Sequence, residues 1–164
     1  MLFRSRFHNS VHNAAPGYWS ITTGAFTPAT AVSAYEHTAT MALLEAAIQV
    51  VEEDTPVVLV TQEVEAPSSL MAICPSVQPF SAAFLMTPPG RCESAVCSLE
   101  FSVLAEPSNW PALDPLLNDD YASNFGARLL PLMTALAKGS QRTEFRYPIS
   151  DFASLLLSLT PGRT

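Results

Sequence analysis

Between Thr38 and Glu53 apolar residues recur at helical spacing. Ala39, Leu43, Ala46, Ala47, Val50 and Val51 make one face, which Met41, Leu44 and Ile48 widen. Glu45, Gln49, Glu52 and Glu53 leave only a narrow polar stripe. The pattern predicts a helix buried on most sides, ended by Asp54-Thr55-Pro56. Val57-Val58-Leu59-Val60 follows as a continuous apolar run, the pattern of a strand covered on both faces. Ahead of the helix, Ala29 to Ala34 (ATAVSA) is small and β-tolerant and predicts a short buried strand. Strand, buried helix and buried strand in that order predict a βαβ unit with parallel pairing, hence a layered α/β domain.

Beyond this unit the pattern changes. Pro67 to Pro79 reads as a loop, Phe80 to Thr87 as another apolar strand, and Pro88-Pro89-Gly90 as a turn. Cys97, Leu99, Phe101 and Val103 alternate with Ser98, Glu100 and Ser102, which predicts a half-exposed strand antiparallel to its neighbour. Ser123 to Ala137 predicts a second helix, with a kink at Pro131 and Gly139 just past its end. Glu144 to Tyr147 and Phe152 to Leu159 predict a final pair of strands.

A chain of 164 residues suffices for one domain with a real core, and a single domain over 1–164 is expected. Charged residues make up 14%, against about 25% in an ordinary soluble chain, so part of the surface is expected to be covered by another chain. The net charge is −7, and the basic residues (Arg4, Arg6, Arg91, Arg128, Lys138, Arg142, Arg146, Arg163) form no cluster, which argues against nucleic acid as a partner. No apolar run reaches the roughly 20 residues of a membrane span, and the first residues lack the apolar core of a signal peptide. A cytoplasmic protein is the expectation. Cys74, Cys92 and Cys97 are odd in number and form no CxxC, so they read as small core or loop residues. No cofactor or metal is implied.

Val11-His12-Asn13-Ala14, Gly17, Ser20-Ile21, Gly24 and Pro28 are followed by the Thr30 to Ala34 segment and the alanine-rich helix. Val57 to Val60 then leads to Glu63. In this order and spacing the chain resembles the active-site region of the β-ketoacyl synthases, in the thiolase-like superfamily, most strongly over 10–87. The resemblance implies a layered α/β/α thiolase-like half-fold with a mixed sheet. In that family a small-residue strand ends in a tight turn that presents a cysteine at the start of the buried helix. Counting from Pro28, Glu36 occupies that place, within Ser33-Ala34-Tyr35-Glu36-His37. A thiol at a helix start is ionised by the backbone N–H groups and accepts the acyl group. A carboxylate is equally comfortable there but cannot carry an acyl thioester.

Family enzymes also use basic groups, chiefly histidines, from the second half of a duplicated fold. This chain has only His8, His12 and His37, and no GxSxG elbow offers hydrolase chemistry instead. His12, on the valine-histidine-asparagine segment, is expected to be structural. The family places one or two strands and a helix before that segment, whereas this sequence begins almost upon it, so either the start is truncated or the sheet is completed differently. Relatives without the nucleophile are chain-length-factor subunits, and the closest resemblance is to the ketosynthase-like N-terminal-domain proteins of aryl-polyene-type clusters. The implied role is non-catalytic. The chain would form a heterodimer with an active β-ketoacyl-ACP synthase and meet the acyl carrier protein through it. Phe26, Tyr35, Glu36 and His37 would lie toward the acyl tunnel, and Thr30, Val32 and Ala34 on a strand shared with the partner. Two alternatives are a weak thioester decarboxylase or hydrolase using Glu36 and His37, and a purely structural partner.

Overall fold

The computed structural model describes residues 13–139 and 141–162. Val11, His12 and His8 lie outside the described residues, and with them the structural role expected for His12. The chain divides into two compact units, one ending at Ser33 and one beginning at Ala34.

In the first unit, α1 (Ala14–Thr23) is a helix with no buried residue. Gly24 closes it in the left-handed conformation (φ 66°), the backbone that glycine adopts without a Cβ penalty. The Thr23 hydroxyl donates to the Trp19 carbonyl over 2.8 Å, satisfying one of the helix-end acceptors. Residues 27–33 form no strand. The buried strand expected at Ala29 to Ala34 is therefore absent from this chain on its own. A strand exists only through its ladder, and alanine, serine and threonine offer too little apolar area to recruit one.

The second unit opens with a 3₁₀ turn, Tyr35–His37, which runs into α2 (Thr38–Glu53). Ala39, Leu43, Ala46, Ala47 and Val50 are buried on one stripe, as the periodicity predicts. The stripe is narrower than expected, because Ile48 and Val51 are exposed. Asp54 ends the helix in the left-handed region (φ 49°). Strands β1 (Val57–Glu63) and β2 (Phe80–Met86) pair antiparallel, with Leu59 opposite Phe84 and Thr61 opposite Ala82 on the inner face. Strands β3 (Cys97–Leu104), β4 (Thr143–Ser150) and β5 (Ala153–Pro161) form a second sheet in the order β3-β5-β4, antiparallel throughout. The parallel pairing read from the βαβ order is thus corrected. Its first strand never forms, so α2 connects nothing in parallel, and β1 returns through the loop 64–79 to meet β2 edge to edge.

The two sheets differ in what they show to the outside. The second has the alternation of a half-solvated sheet: Leu99, Phe101, Leu157 and Tyr147 point inward, Ser98, Glu100, Glu144 and Arg146 outward. The outer face of the first instead carries Val58, Val60 and Leu85, all exposed. Coverage of Val57 to Val60 on both faces, as expected, is not met among the described residues.

Helix α3 (Pro115–Tyr121) begins at Asp114, whose side chain accepts from the Leu116 N–H over 2.9 Å. A second 3₁₀ turn, Gly126–Leu129, leads into α4 (Leu130–Lys138). Pro131 lies in the first turn of α4, where its missing N–H costs nothing, so it starts the helix instead of kinking it. Gly139 ends the helix at φ 60°. The core joins α2 (Ala39, Leu43, Ala46), Leu59, Leu129, Leu132, Tyr147 and the β5 leucines 155, 157 and 159. Burying each such leucine contributes roughly 1.5–3 kcal/mol.

Candidate functional site

Tyr35 adopts φ 52°, a left-handed conformation uncommon for a bulky side chain, so the backbone turns sharply just before Glu36. The turn is clasped by Thr38. Its hydroxyl donates to the Tyr35 carbonyl over 2.6 Å and accepts from the Ala34 N–H over 2.9 Å. The Tyr35 ring meets Phe125 edge-on with centroids 5.2 Å apart, and its hydroxyl donates to the Ile73 carbonyl over 2.6 Å. A strained backbone is therefore held at both ends of its side chain.

Glu36 and His37 follow. His37 Nδ1 donates to the Pro148 carbonyl over 3.2 Å, and its Nε2 lies 3.9 Å from Glu36 Oε1. Pro148 suits that place, since β4 is an edge strand and its register shifts just beyond the proline. The other face of the imidazole stacks on Trp110 at 5.7 Å and 19°. Arg128 covers Trp110, with its Cζ 4.9 Å from the ring centroid. Burial lowers the Arg128 pKa, and the negative charge of Glu36 opposes that. Trp110 also meets Tyr147 edge-on, and burial pushes the Tyr147 phenol far up.

Beside this cluster sits a fully buried asparagine. Asn124 Nδ2 donates to Ser76 Oγ over 3.0 Å and to the Gln78 carbonyl over 2.7 Å, while Oδ1 accepts from the Ala127 N–H over 2.9 Å. It ties the loop 64–79 to the turn that carries Arg128. Gly126 lies close by, where an added Cβ would stand 3.2 Å from Phe80. At the end of β1, burial pushes the Glu63 carboxyl up.

Ala34, Tyr35, Glu36 and His37 thus share one turn. Phe26, Thr30 and Val32 belong to the first unit, where Phe26 is 98% exposed, Thr30 exposed and Val32 half-buried. Sequence reasoning missed Trp110, Asn124, Phe125 and Arg128. A lone arginine carries no local signal, but an asparagine two residues ahead of a helical turn has the character of a cap, and Asn124 was readable in that sense. The three cysteines are half-buried free thiols, and burial pushes that of Cys97 up. Among the described residues no helix is long and apolar enough to cross a membrane.

Chemically, a carboxylate at this turn can attract a cation or accept hydrogen bonds, and at 3.9 Å it is beyond hydrogen-bond reach of His37. A helix start presented by a sharp turn, in a chain of helices and β-sheets, is the setting expected for a ketosynthase-like site. Residues 5–142 match the family model for beta-ketoacyl synthase, N-terminal domain, and the chain belongs to that family. The match reaches well past the stretch where the resemblance was strongest and takes in Trp110, Asn124 and Arg128. With the helices and two sheets described above, it bears out the α/β class and the thiolase-like half-fold. No curated protein and no solved structure matches the chain.

Proposed function

We propose that this protein is a non-catalytic, ketosynthase-like chain length factor. In this reading it works in the cytoplasm, paired with an active β-ketoacyl-ACP synthase, and shapes that enzyme's acyl tunnel in polyketide, polyene or fatty acid biosynthesis. The carrying observation is Glu36, a carboxylate on the turn where the family count puts the nucleophilic thiol. The family match supports the setting, and the half-exposed Tyr35, gripped by Phe125 and Ile73, supports a tunnel-lining role for a side chain beside it. The carrier protein would meet the chain only within the complex.

Incubation with an acyl or malonyl thioester should leave no stable adduct within residues 33–38, read by intact mass and peptide mapping. An adduct there overturns the proposal, and turnover of the thioester would favour a decarboxylase or hydrolase acting through Glu36 and His37. In a reconstituted pathway Tyr35→Ala should lengthen the product by a few methylenes, because it removes the ring and its hold on the Ile73 carbonyl. Phe26→Ala tests the same idea in the first unit. Unchanged products from both variants, with the complex intact, would place the length-setting wall elsewhere.

A further inference from the structure

The described arginines fall into two kinds. Arg91, Arg142 and Arg146 are exposed, and each forms an ion pair, with Asp54, Glu144 and Glu106 respectively. Arg128 is half-buried and forms none among the described residues, although the chain has 15 acidic residues against 8 basic ones. The charge of Glu36 favours the guanidinium, but the two are not an ion pair. Arg128 Nε is buried without a hydrogen-bond partner. A guanidinium keeps its proton in a protein, and a desolvated charge without a partner is costly. The position is nonetheless fixed. Ala127 and Leu129 on either side are fully buried, and Asn124 holds the Ala127 N–H. Arg128 Cζ lies 4.9 Å from the centroid of Trp110, which is itself stacked on His37 and met edge-on by Tyr147. Cation–π contact holds the cation and uses none of its N–H donors. Ser108, two residues ahead of Trp110 and so within about 7 Å of it along the chain, has a buried hydroxyl that also lacks a partner.

We propose that Arg128, held on Trp110, is a binding site for an oxyanion, a carboxylate or phosphate group received by the donors of its guanidinium. The planar fork of N–H groups matches two oxygens of such a group. Because turn and indole already fix the arginine, little has to be ordered when the anion binds. The anion belongs either to a small acid or to an acidic side chain of a docked protein, and the recognition chemistry is the same. The site is independent of whether the chain sets product length.

The test is thermal unfolding of the full chain, expressed alone and in its co-expressed complex. Inorganic phosphate or succinate is titrated in, with chloride holding the ionic strength constant. The midpoint should rise saturably with either anion. Arg128→Met should lose that saturable rise. Arg128→Lys, which keeps the charge but lacks the fork, should bind about tenfold more weakly or worse. Without phosphate or succinate, Arg128→Met should not lower the midpoint, because it removes an uncompensated charge and keeps apolar contact with the indole. A clear loss there, or a variant that does not fold, makes Arg128 a structural residue and overturns the proposal. The same response to the anions in the native protein and in Arg128→Met also overturns it, as does no saturable response in either form of the native protein. A rise in the chain alone that vanishes in the complex assigns the anion to the partner's acidic side chain. A rise kept in both assigns it to a small acid.

Discussion

Replacing Asn124 with alanine should destabilise the second unit by about 3–5 kcal/mol, a large part of the roughly 5–15 kcal/mol that holds a domain folded. The side chain makes three hydrogen bonds while fully buried, to Ser76, Gln78 and Ala127. Alanine removes them together and leaves the Ala127 N–H without its acceptor, while the Ser76 hydroxyl keeps only its 3.3 Å bond to the Gln78 carbonyl. Each orphaned buried group costs about 1–3 kcal/mol. The damage should spread to the loop 64–79, because Ser76 also accepts through its carbonyl from the Ala66 N–H over 2.9 Å. Urea unfolding of the soluble protein measures the loss, and proteolysis within 64–79 should accelerate in parallel. A loss below about 1 kcal/mol would show that the three groups find other partners.

Ala31→Asp should abolish the proposed complex. Co-expressed with its ketosynthase, the native protein is expected as a soluble one-to-one complex, and expressed alone as an aggregate or a makeshift homodimer. The segment Thr30 to Ala34 bears no charge and contains none of the prolines or lysines that protect an exposed edge. We propose that it pairs with its counterpart across the partner interface. The exposed Val58, Val60 and Leu85, together with the low charged fraction, fit a chain that buries further surface in an assembly. An unpaired carboxylate in a buried strand costs about 3 kcal/mol or more, over a hundredfold in Kd. Size-exclusion chromatography of the co-expressed pair gives the answer. An Ala31→Asp complex as tight as the native one would remove the segment from the interface, and a well-folded native monomer indifferent to the ketosynthase would remove the partner reading itself.

The contrast between the two sheets shows why the low charge fraction was informative. Glu100, Glu144 and Arg146 solvate the outer face of the second sheet, whereas nothing charged stands among Val58, Val60 and Leu85 on the first. An apolar run such as Val57 to Val60 states that both faces seek cover. It does not state whether the cover belongs to the same chain.

What the sequence determined by itself is local and periodic. The face of α2, the alternation of β3, the final β4–β5 pair and the stop at Gly139 were all legible, because each depends on spacing or on one residue's backbone preference. Two helices were signalled more faintly and were overlooked: Asp114-Pro115 is an N-cap followed by a first-turn proline, and Gly24 closes α1, yet neither segment has a strong apolar stripe to announce it. The place of Glu36 at a helix start was also readable from the count. Only the tertiary structure decided the pairing direction, the loss of a strand at 29–34, and the stacking of Arg128 on Trp110 and of Trp110 on His37. Strand pairing needs a partner, and a charge cluster needs elements far apart in the chain to pack together. Both depend on which surfaces meet, and residue spacing along one segment carries no record of that.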